Sequence, residues 1–267
     1  MDNFLRRVEV VIEYFFAYWP SIPPEKVFHY FDLTHLCAIA VVSILLFWLV
    51  NMVRKLSAMR VERVLRGAAI LLPLVEIARI IWVFCAGDTQ LVKLLPLHLC
   101  GMQIFYIPLA VFTKSLALKE FVCSTSLLGG IAAILSPSGI AETYPFFHFQ
   151  TLQSITLHMI LIFVPLVMIY CQGFHPNIRN MPKVMCLLTA TAVPAAVVDY
   201  FWGENYMFLL EPPLGTPLVD IFEKYGHGFY LIVLFLMMCL AIFLTYVPSL
   251  WREYKTVRAR SRSHRPL

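Results

Sequence analysis

Hydrophobic residues along this chain fall into seven long runs, which short polar segments separate. Most of these runs approach the roughly 20 residues that a helix needs to cross the hydrocarbon core of a bilayer. The pattern predicts an all-α fold, a polytopic membrane bundle of seven transmembrane helices that occupies residues 34–250. The runs cover residues 34–53, 67–86, 94–112, 119–136, 152–171, 184–202 and 228–249.

The fourth run is the least hydrophobic of the seven, and it ends at Ser136-Pro137. Many of its side chains are small, and small side chains let two helix backbones approach closely within a membrane. We therefore expect the fourth helix to pack tightly against a neighbour. Its small residues include Ser124, Thr125, Ser126, Gly129 and Gly130.

Residues 1–33 differ from the runs that follow, because charges interrupt their hydrophobic positions. They contain no continuous apolar core of the kind that a cleavable signal peptide has. At helical spacing the apolar side chains fall near one face, which predicts an amphipathic helix lying in the membrane interface, followed by a loop. The charges are Arg6, Arg7, Glu9 and Glu13, and the apolar face carries Phe4, Val8, Val11, Ile12, Phe15 and Trp19.

The overall composition supports a membrane protein. Hydrophobic residues make up 60% of the chain and charged residues 14%, against about 25% charged in a typical soluble domain. This excludes an ordinary soluble enzyme, a disordered chain and a secreted disulfide scaffold, and the net charge of +5 does not indicate nucleic-acid binding. The 7 cysteines form no CxxC pair, so they indicate neither a disulfide framework nor a thiolate zinc site. Membrane lipid is the expected partner.

Charge alternates between successive loops. The segments after the first, third and fifth runs and the C-terminal tail are basic, whereas the opposite segments are acidic or neutral. By the positive-inside rule the tail, residues 251–267, is cytoplasmic and the N-terminus lies outside; only a seven-span count keeps this alternation in step. The basic residues are Arg54, Lys55, Arg60, Arg63, Arg66, Lys114, Lys119, Arg179, Lys183 and six in the tail.

Polar residues inside the runs are the candidates for function, because each is costly to place in a membrane. Glu76 and Arg79 are three residues apart on one helix face, where they form either an internal ion pair or part of a site. Pro96 suits the first turn of the third helix, and His98 and Cys100 follow it. Ser154 and His158 continue a polar stripe from Gln150 that must face the protein interior.

On the predicted topology these residues lie at similar depth, toward the outer surface, with Glu76 nearer the middle of its helix. His35 and Asp199 also lie near the outer surface, and Asn205 is in the loop that follows Asp199. We therefore expect one polar cavity that opens toward the outer leaflet. Histidine as a general base and a cysteine nucleophile would permit acyl transfer or ester hydrolysis on a lipid. No nucleotide-binding, GxSxG or Asp-rich metal motif is present, so no cofactor is predicted.

Three other functions are compatible with the same polar residues. One is a metal-dependent hydrolase that holds zinc, although no HExxH-like spacing supports it. Another is a transporter or binding protein for a small polar solute, and the third is a structural or regulatory membrane protein. The zinc ligands would come from His35, His98, His158 and Asp199 or Glu76.

Three segments, LLPLHLCGMQIFYIPLAVFTK, LHMILIFVPL and GENYMFLLEPP, resemble the YwaF-like bacterial integral membrane proteins, which are grouped with eukaryotic transmembrane protein 164. The resemblance runs from about His35 to the seventh run. It implies a bacterial plasma membrane and, through the eukaryotic relative, acyl transfer to phospholipids by a Cys and a His on different helices. The His corresponds to His158, whereas Leu97 occupies the Cys position and Cys100 lies three residues beyond it.

The resemblance thus leaves three alternatives: Cys100 is a displaced nucleophile, His98 takes that role, or the chemistry differs. We predict a lipid acyltransferase or ester hydrolase with His158 as general base. Neither a metal nor an oligomeric state is predicted. The catalytic candidates are His98, His158 and Cys100, and the substrate-binding candidates are Glu76, Arg79, His35, Ser154, Asp199 and Asn205.

Overall fold

The regular elements of the protein are helical. A computed structural model describes residues 13–87, 90–213 and 216–263, and within these ranges it contains helices and no strands. One-turn helical segments connect some of the longer helices. The longer helices are α1 (Leu33–Arg54), α2 (Ala58–Cys85), α3 (Leu99–Thr113), α4 (Leu116–Leu135), α5 (Phe149–Cys171), α6 (Met181–Trp202) and α7 (Leu218–Ser263).

Six of these helices are long and apolar enough to cross a membrane, and α3 is the exception. Its 15 residues rise about 22 Å, less than the roughly 30 Å of a hydrocarbon core. The chain is therefore a multi-pass α-helical membrane protein. Six of the predicted spans are confirmed as helices of sufficient length, whereas the predicted third span is a shorter helix.

The start of α3 explains its shortness. The helix begins at Leu99, with His98 in extended conformation as its N-cap, so the predicted placement of Pro96 in its first turn is wrong. The chain folds back here and lies close to the helix. A Cβ added to Gly101 would lie only 2.8 Å from the carbonyl oxygen of Pro96. Residues 95–98 thus pass against the first turn of α3 rather than continuing it.

The helix α2 begins earlier than its hydrophobic run. Its 28 residues rise about 42 Å, more than the hydrocarbon thickness. Arg60, Arg63 and Arg66, expected in a loop, lie in its first turns. Arg66 pairs with Glu62, one turn before it, at 3.1 Å. This basic segment is therefore part of the helix and not a loop.

The helix α7 is interrupted once. Gly226 has φ +80°, a left-handed conformation that glycine adopts readily. The predicted run 228–249 follows this break, and the helix then continues to Ser263. The first part of the predicted tail is therefore helical, and residues 264–267 lie outside the described residues.

The chain divides into two compact units. The first comprises Met1–Leu94 and Gly129–Gln172, and the second comprises Leu95–Leu128 and Gly173–Leu267. In the first unit, α5 packs against α1 and α2. In the second unit, α6 and α7 share an apolar core with the first half of α4, formed by Phe121, Val184, Leu188, Ile242 and Tyr246.

An N-terminal segment covers one end of the first unit. Trp82 Nε1 donates to the carbonyl of Phe16 at 3.1 Å, and His148 Nε2 donates to that of Ala17 at 2.9 Å. His148 Nδ1 accepts from the backbone N–H of Gln150, and burial of the ring lowers the pKa of this histidine. The predicted interfacial helix lies mostly in residues 1–12, outside the described residues.

Candidate functional site

His158, in the middle of α5, has one ring nitrogen in a hydrogen bond and the other without a hydrogen-bond partner among the described residues. Its Nδ1 lies 2.8 Å from the backbone carbonyl of Ser154 and 3.3 Å from the Ser154 hydroxyl. A carbonyl only accepts, so Nδ1 carries the proton and Nε2 carries the lone pair. Within the described part of the chain, Nε2 has no hydrogen-bond partner. This is the tautomer that a general base or a metal ligand requires.

A small cavity of about 30 Å³ lies beside this imidazole, within the first unit. Its polar lining includes His35, Thr151, Ser154 and His158. Three of the predicted site residues, from α1 and α5, therefore face the same space. Its apolar lining includes Phe28, Ala38, Ile39, Val42, Ile134, Ile140 and Phe146.

His35 differs from His158, because both of its ring nitrogens are engaged. Its Nδ1 accepts from the backbone N–H of Phe31 at 3.0 Å, and its Nε2 donates to the carbonyl of Ile134 at 3.0 Å. The side chain is 3% exposed. His35 therefore fastens the start of α1 to the end of α4 and shapes the cavity wall. Both ring nitrogens of His35 are therefore occupied by hydrogen bonds to the backbone.

A second, larger cavity adjoins the first and runs along α1. It measures about 530 Å³, within the roughly 300–1,000 Å³ of small-molecule sites. Ile39, Val42 and Ile134 line both cavities. Its lining is mainly aliphatic, with Asn51, Arg54 and Tyr170 at the end remote from His158. We call this cavity the α1 groove.

Close packing of α4 on α5 sets one wall beside His158. A Cβ added to Gly130 would lie 2.7 Å from the Cγ1 of Ile162 and 3.1 Å from the carbonyl of His158. Real Cβ atoms essentially never approach another heavy atom to 2.7 Å, so glycine is required for this contact. The expected tight packing of the fourth helix is confirmed at this position.

Glu76 and Arg79 form the internal ion pair that their spacing allows. Glu76 Oε1 accepts from Arg79 Nε at 2.9 Å and Nη2 at 2.6 Å. Gln153 Nε2 donates to Glu76 Oε2 at 3.4 Å, and Arg79 also reaches the carbonyl of Leu94 at 3.4 Å. These contacts link α2 to α5. Neither member of the pair lines the cavity beside His158.

The second unit brings together three other predicted residues. Asp199 Oδ1 accepts from the backbone N–H of Tyr206 at 2.8 Å, and His98 Nδ1 from that of Met207 at 3.3 Å. Asn205 accepts from the N–H of Leu210 at 3.0 Å. These side chains hold the segment that contains the GENYMF sequence.

That segment is strained. Met207 has φ +53° and Phe208 has φ +60°, a region that non-glycine residues rarely adopt. Such conformations cost about 1–3 kcal/mol each and often occur at functional sites. Asp199 is 1% exposed, and its Oδ2 has no hydrogen-bond partner among the described residues. His98 and Asp199 therefore support a shaped loop as well as being candidates for chemistry.

Cys100 lies in the first turn of α3 in the second unit, and it is a free thiol of intermediate exposure. The proposed pairs of His158 with Cys100 or with His98 join residues of different units, and they remain predictions. The described residues contain no group of three or more His, Cys, Asp or Glu side chains placed to hold a metal ion.

Sequence reasoning missed several buried polar residues. Gln153 and Thr151 lie beside residues of the predicted stripe. Gln153 donates to Glu76, whereas Thr151 donates to the carbonyl of Pro145 and also lines the cavity beside His158. In the second unit, Glu120 is 3% exposed and accepts from the Asn177 N–H and the Asn180 side chain, each at 2.9 Å. Glu120 could have been identified from its position, because a carboxylate one turn inside a membrane helix is costly.

The comparison with known proteins gives a family. The model of the TMEM164 family matches residues 29–247, most of the chain. No curated protein and no solved structure matches the chain. The chain therefore belongs to the TMEM164 family, in agreement with the resemblance that its motifs carry.

Proposed function

We propose that this member of the TMEM164 family catalyses acyl transfer or ester hydrolysis on membrane lipids, with Nε2 of His158 as the general base. One observation carries the proposal. The Ser154 carbonyl holds the proton on Nδ1 of His158, so the basic nitrogen is unbonded at a cavity that adjoins a long apolar groove. An ester whose acyl chain lies among apolar side chains suits that arrangement.

The reaction needs one proton acceptor that later acts as a donor. Nε2 of His158 takes the proton of the attacking thiol, hydroxyl or water as the nucleophile bonds to the acyl carbonyl carbon. The tetrahedral intermediate then collapses, the bond to the leaving oxygen breaks, and the imidazolium returns the proton to that oxygen. The Ser154 carbonyl stabilises the imidazolium, because it accepts a hydrogen bond from Nδ1 throughout.

We propose Cys100 as the attacking group, with His98 as the alternative. Acyl transfer through Cys100 would proceed by a thioester, whereas direct attack by water would give hydrolysis. Glu76, Arg79, Asp199 and Asn205 are proposed to orient the lipid. His35 and Ser154 line the cavity beside His158 and would contact the ester.

We further propose that the chain lies in a bacterial plasma membrane. Its basic segments support a cytoplasmic C-terminus and an external N-terminus. The end of α1 near His35 and the start of α5 would then lie in the outer leaflet. A lipid of that leaflet is the expected substrate.

Mass spectrometry of lipids tests the proposal. Purified protein in nanodiscs is incubated with a lysophospholipid and a diacyl phospholipid, and new diacyl species and free fatty acid are measured. His158→Ala should lower the rate by about 10²–10⁴-fold, the usual contribution of a general base. Ser154→Ala retains the carbonyl that holds Nδ1, so its rate should fall by no more than about tenfold.

Two further variants sharpen the result. His175→Ala removes an exposed histidine and should leave the rate unchanged. Cys100→Ala should abolish transfer if the thiol carries the acyl group, with the thioester of the wild type detected by intact-protein mass spectrometry. Unchanged lipids with folded wild-type protein would overturn the proposal, and flux of a polar solute into sealed vesicles would then favour a transporter.

A further inference from the structure

The cavity at His158 and the α1 groove form one path along two helices. On α5 the lining residues follow each other at i, i+4 spacing: Ser154, His158, Ile162, Leu166 and Tyr170. This spacing places them on one helix face. On α1 the lining begins at His35 beside the cavity and ends at Arg54 in the groove. The path therefore has a defined direction, with the imidazole near one end.

The length of this path is somewhat more than half the thickness of the membrane hydrocarbon. Twelve residues separate His158 from Tyr170, which is about 18 Å at 1.5 Å per residue. Half of a hydrocarbon core of roughly 30 Å is about 15 Å. On the predicted topology Arg54 is at the cytoplasmic end of α1, so an acyl chain extended from an ester at His158 would run from the middle of the membrane to that end of the groove.

The polarity of the lining suits a hydrocarbon chain and not a polar solute. Between the two ends the lining is aliphatic apart from Phe47 and Ser43, and the Ser43 hydroxyl already donates to the carbonyl of Ile39 at 2.7 Å. The far end changes character, because Asn51, Arg54 and Tyr170 line it. Polar groups there offer no favourable contact to a longer hydrocarbon chain, so they limit the length of chain that the groove can hold.

The groove is also accessible from its side. Phe47 on α1 is 74% exposed and Tyr170 on α5 is 53% exposed. In a bilayer such apolar surface faces lipid, which is the solvent of a membrane protein. A chain already dissolved in the membrane could enter laterally between these two rings without passing through water.

We propose that the α1 groove binds one acyl chain of the lipid, with the carbonyl end at His158 and the methyl end near Asn51, Arg54 and Tyr170. The groove then selects acyl chains by length. This inference rests on the proposed function, because that function places an ester at His158. Chain occupancy and chemistry are nevertheless separate properties, and they can be measured independently.

Photolabelling tests occupancy. The full-length protein in nanodiscs is irradiated with a phosphatidylcholine whose hexadecanoyl chain carries a diazirine at the methyl end. We expect labelled peptides around Val50–Arg54 or Leu166–Tyr170, and the label should move toward Leu46 and Ile162 when the chain is decanoyl. Labels spread evenly over the exposed apolar residues of all helices would overturn the proposal.

A matched pair of variants tests length selection. Leu166→Trp fills the groove two turns beyond His158, whereas Ile44→Trp adds the same ring to a residue that is 68% exposed and outside the groove lining. The first variant should lower hexadecanoyl labelling in the groove by about tenfold and spare decanoyl labelling. The second should alter neither. Equal effects of the two variants would contradict the proposal.

His158→Ala separates this inference from the proposed function. Groove labelling should persist in this variant, because the imidazole contacts the ester and not the chain. Labelling in the groove without any lipid chemistry in the wild type would refute the proposed function alone. Lipid chemistry that depends on His158 but shows the same rate for both chain lengths in Leu166→Trp would refute the groove alone.

Discussion

At the residue scale, the ion pair of Glu76 and Arg79 places two charged side chains in the interior of the first unit. Their side chains are 7% and 18% exposed. Removing one partner of such a pair costs about 3–5 kcal/mol, whereas replacing both with apolar residues is often neutral or stabilising. Glu76→Leu alone should therefore lower thermal stability strongly, and Glu76→Leu with Arg79→Leu should restore it, as measured by thermal unfolding in nanodiscs.

The same helix supplies a control for this prediction. Arg66 pairs with Glu62 at its basic end, and the Arg66 side chain is 51% exposed. Arg66→Leu should change stability by no more than about 1 kcal/mol. A double variant of Glu76 and Arg79 as unstable as the single one would contradict a purely pairwise role and indicate that Gln153 or the Leu94 carbonyl needs a charge.

The positions of single residues were predicted well where the prediction used the free-energy cost of placing a polar side chain in a membrane. The spacing of Glu76 and Arg79 allowed the ion pair that the structure contains, and the stripe on α5 indicated that Ser154 and His158 face one space. The proton position on His158 could not be predicted. It depends on the backbone carbonyl of Ser154, whose direction only the folded helix defines.

At the element scale, the contact between α4 and α5 depends on Gly130. Gly130→Ala would place a Cβ 2.7 Å from Ile162 Cγ1, so the helices must separate or Ile162 must shift. Overpacking of this kind costs about 1–3 kcal/mol. We expect Gly130→Ala to lower stability, and Gly130→Ala with Ile162→Ala to recover part of the loss, because the second change removes the atom that clashes.

Gly67 in α2 provides the matched control. A Cβ added there meets nothing within 4 Å, so Gly67→Ala should stabilise the helix by roughly 0.5–1 kcal/mol. If Gly130→Ala behaved like Gly67→Ala in thermal unfolding, the close packing described for α4 would be wrong. The lipid assay adds a second measurement, since displaced α4 also displaces the wall beside His158.

Helix boundaries followed the hydrophobic pattern for most elements and departed from it at α2 and α3. The run predicted at 67–86 identified the membrane part of α2, but the helix starts at Ala58, because polar arginines extend a helix beyond the hydrocarbon without any apolar signal. At α3 the apolar residues begin before the helix. His98 is in extended conformation, so α3 begins only at Leu99. Hydrophobicity alone does not distinguish extended from helical backbone.

At the scale of the whole molecule, the sequence predicted a multi-pass α-helical membrane protein, and the six long apolar helices and the family confirm it. The division into two units was not predicted, because both units are discontinuous in sequence and α4 contributes to each. A single polar cavity was inferred from equal depths. The structure places His35, Ser154 and His158 at one cavity and gathers His98, Asp199 and Asn205 at a strained loop of the second unit.

The number of membrane crossings depends on α3, the helix that is too short by itself. If the chain crosses the membrane at α3, Ser115 in the basic turn after it shares a side with Ser57, opposite Ser138. Each serine is replaced by cysteine in a background that lacks the 7 native cysteines. The variants in intact cells are treated with a membrane-impermeant maleimide. We expect it to label Ser138→Cys, and to label Ser57→Cys and Ser115→Cys only after permeabilisation.

This outcome follows from charge. Arg54, Lys55, Lys114 and Lys119 flank the two cytoplasmic turns, and basic loops are retained on that side. The 15 residues of α3 can then cross only where the bilayer thins locally around them, because residues 95–98 fold back and add no length. Labelling of Ser115→Cys in intact cells would refute a crossing at α3 and leave six spans, with both termini on one side. The experiment thus decides between seven and six membrane crossings.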